Sequence, residues 1–336
     1  MNRLQATGVA AALALVTVGA GACGDSSGSA NGATSKKINL VAYSTPEASY
    51  KELIPAFAKT SAGDGSEFTQ SYGASGDQSK AVEAGQTADV VHFALEPDIK
   101  RLVDAGKVAS DWDQNAEHGI VANTEVVFAV RKGNPKGIHT WDDLVKSGVE
   151  VITPNPFSSG GARWNIMAAY GAEINEGKTP DQAKAFLDTL FHHVPVQDDK
   201  ASASLTTFTG GKGDVLLAYE QDALAAQAAG EDLEIVYPPQ TILIQTPIAV
   251  TKTAPPIAKK FVDWMFTPAA QNILAETGYR SVLPSVEAKY ASKYPDTSQT
   301  FTIEDVGGWD QVMADFFDPE HSVMQQIESS LGVSTS

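Results

Sequence analysis

A chain of 336 residues is longer than one ordinary compact core covers, and at roughly 100–200 residues per domain it reads as two domains with room for a cleft. Its 41 acidic against 24 basic residues give a formal net charge of −17, which excludes a broad basic surface for nucleic acid or anionic lipid. Any anion it binds must therefore be met by local dipoles, and a single cysteine, Cys23, excludes an internal disulfide.

The first 23 residues, MNRLQATGVAAALALVTVGAGAC, have a charged start at Arg3, an apolar run from Val9 to Val18 and small residues before Cys23. That pattern predicts a secretory signal over residues 1–22, because the apolar run is too short to span a bilayer comfortably. The tetrapeptide AGAC resembles the bacterial lipobox, with Ala20 where leucine is usual. The resemblance implies a diacylglyceryl group on Cys23 as the first mature residue. Losing Arg3 with the signal takes the charge from −17 to −18. After Cys23, GDSSGSANGATSKK is small and polar and cannot bury apolar surface, so residues 23–37 predict a lipidated cysteine on a flexible tether.

Strand-like runs then alternate with helix-like ones: INLVAYS (38–44), ADVVHFA (88–94), TEVVFAV (124–130), VEVIT (149–153), DVLLAYE (214–220), LEIVY (233–237) and PIAVT (247–251). Thr140 to Asp143 reads as a capped helix start with a carboxylate at N3, and Thr179 with Pro180 as an N-cap and N1 pair. The alternation predicts an α/β architecture with largely parallel sheets, in which ligands sit at the carboxyl ends of strands.

Two segments fit that position. In YGASGDQSKAVEAGQ (72–86), Gly73, Ser75 and Gly76 lead into an amphipathic pattern. In ITPNPFSSGGARWN (152–165), Ser158, Ser159, Gly160 and Gly161 precede a helix with Ile166, Tyr170 and Ile174 along one face. Small residues there let the backbone approach a ligand, first-turn N–H groups lack intrahelical partners and the helix dipole favours negative charge, which makes an anion site without a cation. An ordinary serine N-cap followed by a glycine turn accounts equally well for Ser159 taken alone. DKASASLTTF (199–208) offers further donors, although by itself it reads as a surface turn. The six histidines show no metal spacing and no HExxH; His192 and His193 read as groups at a helix C-terminus. There is no recognisable Gly-x-Ser-x-Gly elbow, the match GDSSG (24–28) lying in the tether, and SGGAR lacks the lysine of a Walker loop.

The segment VRKGNPKGIHTWDDLVKSGVEVITPNPFSSGGARWN (130–165) closely resembles the bacterial sulfate-binding proteins of ATP-binding-cassette importers, as do SYGASGDQ (71–78) and GKGDVLLAYEQDA (211–223). The similarity runs with interruptions from about residue 38 to FTIEDVGGWD (301–310). It implies a two-lobed class II solute-binding fold, with residues 38–123 and 246–336 as the first lobe, 124–245 as the second, and dehydrated sulfate held between them by uncharged donors. Matched by motif, Ser75 supplies a hydroxyl from the first lobe. Ser159, Gly160 and Gly161 supply a hydroxyl and main-chain N–H groups from the second, Ala201 a main-chain donor, and Tyr219 a phenol where many relatives carry tryptophan. Ser44, Gly76 and Ser202 are additional candidates.

Four positions depart from the family pattern: Phe157 stands for a lysine, Asp77 replaces the lysine of SGKQ, Ser44 replaces a carboxylate and Ser202 replaces an arginine. Asp77, at N3 of a helix, is expected to face outward as a cap, since a carboxylate aimed at the anion would repel it. The resemblance further implies a monomeric receptor, with no cofactor and no metal, anchored to the outer face of the cytoplasmic membrane and docking on permease subunits. The same cradle also suits thiosulfate, molybdate or another tetrahedral oxyanion. An exported serine hydrolase or transferase using Ser159 or Ser75 is a remote alternative that lacks a placed general base.

Overall fold

The structure is a computed structural model that describes residues 36–295 and 300–335; the signal, Cys23 and nearly all of the tether lie outside the described residues. The first lobe opens with three strand–helix units: β1 (Lys37–Tyr43) and α1 (Glu47–Ala58), β2 (Glu67–Gly73) and α2 (Ser75–Glu83), β3 (Val90–His92) and α3 (Glu96–Asp104). Their strands lie in the order β2-β1-β3 and are parallel. β4 (Ile120–Arg131) then carries the chain across into the second lobe. That lobe contains α4 (Trp141–Leu144), β5 (Val151–Ile152), α5 (Gly160–Asn175), α6 (Pro180–Phe191), α7 (Ala201–Thr209), β6 (Val215–Tyr219), α8 (Glu220–Ala228) and β7 (Leu233–Val236). β8 (Thr241–Val250) returns to the first lobe, followed by α9 (Pro256–Met265), α10 (Pro268–Glu276) and α11 (Pro284–Tyr290). β9 (Thr300–Phe301), α12 (Gly308–Phe317) and α13 (Val323–Leu331) complete the chain.

β4 and β8 belong to both lobes. At about 3.3 Å per residue, β4 is about 40 Å long. Its first half pairs with β8, while its second half pairs with β6 and β7. β8 in turn pairs with β3, and these crossing pairs are antiparallel. The sheet is therefore mixed, which corrects the expectation of largely parallel sheets: the local βα units are parallel, but the two strands that join the lobes run against their neighbours.

Side-chain alternation gives each sheet two buried faces. In β1, Ile38, Leu40 and Ala42 pack with Tyr50, Leu53, Phe57 and Phe261, whereas Val41 faces Val82, Val91 and Leu102. In β4, Val126, Phe128 and Val130 face α5 and α6, while Val127 and Ala129 meet Phe208 and Ala223. The C-terminal residues Phe301, Trp309, Phe316 and Ile327 join the α5–α6 cluster. Trp309 meets Trp164 and Phe316 meets Tyr170, both on α5, so this C-terminal segment packs against the second lobe as well as against α3.

Both predicted caps form. The Asp143 carboxylate accepts from Thr140 N at 2.9 Å, and Thr179 and Gln182 exchange bonds at the start of α6. Among the described residues, no helix is long and apolar enough to cross a membrane.

Candidate functional site

The carboxyl ends of β1, β2 and β6 and the loop after β5 converge on one small cavity between the lobes. Ser44, Thr45, Ser75 and Ala94 line it from the first lobe, and Ser159, Gly160, Gly161, Ala201 and Tyr219 from the second. Three helices begin there: Ser75 is the first residue of α2, Gly160 of α5 and Ala201 of α7. Their opening N–H groups have no intrahelical partner, so the cavity has donors from three dipoles at once. Residues 199–208 are thus a helix start and not a surface turn.

Ser159 is the N-cap of α5, is 3% exposed, and makes no capping bond through its hydroxyl. A Cβ on Gly161 would lie 3.5 Å from Ser159 Oγ, 3.6 Å from Ala201 Cβ and 3.7 Å from Tyr219 Cε1, so glycine keeps that space open. Tyr219 is 2% exposed, and its hydroxyl is a buried polar atom with no hydrogen-bond partner among the described residues. Burial holds that phenol well above its ordinary pKa, so it is a neutral donor.

Ser75 lines the cavity, but its hydroxyl is engaged. It donates to Asp98 Oδ2 at 2.6 Å and accepts from Ala94 N at 2.9 Å. This corrects the expectation of a free hydroxyl donor; what Ser75 leaves for the cavity is its main-chain N–H. Asp98 is itself fully buried and bonded to Arg101 at 3.3 Å.

Ser44 also lines the cavity, whereas Gly76 and Ser202 do not. Gly76 allows close packing, since a Cβ there would lie 3.1 Å from Ser158 O, and Ser202 faces the open groove at the mouth of the cleft. Asp77 is exposed at N3 of α2. Phe157 sits in the core of the second lobe. Arg163, the one charge in the 152–165 segment, donates to Pro156 O at 2.8 Å and packs over Phe317 behind the site. The lining contains no histidine. His92 is buried with its pKa lowered by desolvation to about 3 and bonds Tyr50, while His192 and His193 bond main-chain carbonyls at the end of α6. Among the described residues there is no cluster that could hold a metal ion.

The lobes are in contact around the cavity. Trp164 Nε1 donates to Ala94 O at 2.8 Å, and Thr45 Oγ1 donates to Asp222 Oδ2 at 3.0 Å, each bond linking one lobe to the other. A Cβ on Gly160 would lie 2.8 Å from Ala94 Cβ, so the start of α5 is the tightest point of approach. Sequence reasoning missed Thr45 and Asp222, although Thr45 directly follows a strand-like run and precedes a helix, the same placement that singled out the other segments.

A cleft between two α/β lobes, crossed by two long strands and lined by helix N-termini, defines a solute receptor of the binding-protein class. The chain belongs to the bacterial extracellular solute-binding protein family, whose model matches residues 38–280. It is 40% identical over 321 residues to a sulfate-binding protein of Synechococcus elongatus, covering 91% of this chain and 92% of that one. It is 34% identical over 292 residues to a thiosulfate-binding protein of Escherichia coli, covering 82% and 86%. Among solved structures, the sulfate-binding protein SubI from Mycobacterium tuberculosis H37Rv superposes with a TM-score of 0.81 at 43% identity, covering 84% of this chain and 99% of that one.

Proposed function

We propose that this chain is an extracytoplasmic sulfate receptor that delivers the anion to an ATP-binding-cassette importer. The observation that carries the reading is the cavity itself, where three helix N-termini, an unused Ser159 hydroxyl and the orphaned Tyr219 hydroxyl converge, with Lys200 the one charged residue in the lining. The main-chain N–H groups only donate and the two hydroxyls can turn their protons to the ligand, which suits a fully deprotonated dianion. The names of the relatives support sulfate, and the greater identity to sulfate-binding than to thiosulfate-binding proteins points the same way.

The direct contacts are assigned to Ser159 Oγ, the main-chain N–H groups of Ser75, Gly160, Gly161 and Ala201, and the Tyr219 phenol, with Ser44 beside them. Charge-assisted hydrogen bonds contribute about 1.5–3 kcal/mol each, and micromolar binding requires about 8 kcal/mol net. Six donors suffice to offset dehydration and lobe closure. The receptor acts as a monomer held at the membrane through Cys23, and it performs no catalysis.

Titration calorimetry against sulfate, thiosulfate, molybdate and phosphate tests the reading. Sulfate is expected to bind most tightly. Hydrogen phosphate is expected to lose because its proton must take up a hydroxyl oxygen and cost the anion a donor, about 1–3 kcal/mol. Tighter binding of any other anion in the panel overturns the assignment of the ligand.

A further inference from the structure

Asp222 is the one carboxylate that the fold brings to the edge of the anion cavity through the second lobe. It sits at N3 of α8, three residues beyond Tyr219, and is 8% exposed. With Gly161, Asn165, Ala201 and Tyr219 it lines a second small cavity, which shares three of those residues with the anion cavity. On its other side it borders the groove at the cleft mouth, where Thr45 and Lys51 form one wall and Ser202 and Thr206 the other. The hydrogen bond it receives from Thr45 Oγ1 comes from the opposite lobe.

The groups around Asp222 give an ionised carboxylate little support. From β1 comes Tyr43, from the end of β6 Tyr219, and from the segment after α10 Tyr279, all neutral because burial raises their pKa values. His92, edge-on to Tyr43, is also neutral near pH 7, since burial lowers it to about 3. On α1, Lys51 pairs with Glu47 at 3.3 Å in an exposed ion pair; Glu231 lies farther along the groove, and Lys200 lines the anion cavity at the start of α7. The N3 position favours the anionic form through the α8 dipole. Desolvation outweighs it and pushes the carboxyl up to about 7, with the Thr45 bond pulling the other way. A dianion in the adjoining cavity acts in the same direction as desolvation, because two like charges sealed in a low-dielectric space repel strongly. Because the Thr45 bond spans the two lobes, separating them would withdraw Thr45 and admit water to the groove, which would return the carboxyl toward its ordinary value of about 3.9.

We infer that Asp222 is a positioning residue that takes up a proton as the cleft closes on its anion, so that loading consumes a proton and release returns it. The inference rests on the sulfate reading. The sign follows from linkage: the loaded form binds one more proton than the free form at any pH between their two pKa values. Affinity therefore falls as pH rises, by up to about tenfold per unit between about pH 5 and 7, a window in which sulfate itself does not titrate.

The test is sulfate calorimetry on the full mature chain at pH 5.5, 6.2 and 7.0, each in two buffers of different ionisation heat. The wild type is expected to show a buffer-dependent heat equivalent to about one proton taken up per sulfate, with the stated loss of affinity. The near-isosteric Asp222→Asn variant is expected to show neither the buffer dependence nor the pH slope. Carbon-13 observation of the aspartate carboxyls in the wild type gives a measurement free of mutation: the Asp222 signal should be that of a protonated acid with sulfate at pH 6. A flat wild-type affinity, proton uptake that survives in Asp222→Asn, or an ionised Asp222 signal in the loaded protein overturns the inference and leaves the receptor reading intact. Absence of sulfate heat at every pH overturns both.

Discussion

Tyr219 and Ser159 are constrained in opposite ways. The Tyr219 hydroxyl is sealed from solvent without a partner, so the free protein bears the cost of an unmet donor. Tyr219→Phe is expected to leave thermal stability unchanged or raise it slightly, while sulfate affinity drops by about 1.5–3 kcal/mol, about tenfold to a hundredfold. Calorimetry paired with thermal unfolding separates the two effects, and undiminished affinity would assign the phenol to another role. For Ser159, loss of the hydroxyl in Ser159→Ala should weaken sulfate by a similar factor, because the backbone donors remain. Ser159→Asp should do far more damage while keeping the fold: aspartate caps a helix as well as serine does, but it sets a carboxylate against the dianion. A folded aspartate variant with near-wild-type affinity would mean that position 159 faces away from the ligand. These residues were legible in the sequence because a hydroxyl and two glycines at a helix start act over a few adjacent positions. The engagement of Ser75 was not, because its partner Asp98 is 23 residues away and becomes a neighbour only through packing.

Between elements, the approach of α2 and α5 decides whether the cleft closes. Gly160→Ala puts a methyl 2.8 Å from Ala94 Cβ and 3.2 Å from Ser75 Cβ, both on the opposite lobe. Alanine is a better helix former than glycine, so the separate lobe should hold its stability while closure is obstructed. The expected result is a melting temperature equal to or above that of the wild type, with sulfate affinity reduced at least tenfold. Binding as tight as the wild type would show slack at that contact. Docking of α13 is governed by a different group. Gln197 Nε2 donates to Glu328 Oε2 at 2.7 Å, and burial pushes the Glu328 carboxyl up to about 7. A folded-state pKa above the unfolded value of about 4.3 stabilises the fold fully below that value and loses the contribution as pH rises toward about 7. Thermal unfolding from pH 4.5 to 8 should show that decline, and Glu328→Gln should remove Glu328's share of it. An equal slope in the variant would assign the effect elsewhere.

Across the whole molecule, the strands with two buried faces announced themselves by apolar runs, from INLVAYS to PIAVT. β2 did not: EFTQSYG is an edge strand whose residues are exposed or half-buried, so no apolar pattern is required of it. The direction of β4 and β8 was equally silent, because residue pattern reports burial and not polarity of pairing. Nor could chain order show that Trp309 and Phe316 pack against α5. The lipobox reading puts membrane attachment on Cys23, and on that reading Cys23→Ser is expected to abolish acyl labelling in cells and weaken membrane retention. Labelling that persists in the variant would reject the lipobox reading.

The bond from Trp164 to Ala94 reaches across the cleft, and the Trp164 ring stands edge-on to Trp309 at 4.7 Å. Opening the cleft must break that bond and admit water beside the indole, whereas Trp141 and Trp264 stay within the cores of their own lobes. The chain therefore carries its own optical gauge. Emission from Trp164 and its neighbour Trp309 is expected to change as the receptor shuts, so filling and emptying could be timed on the unlabelled protein.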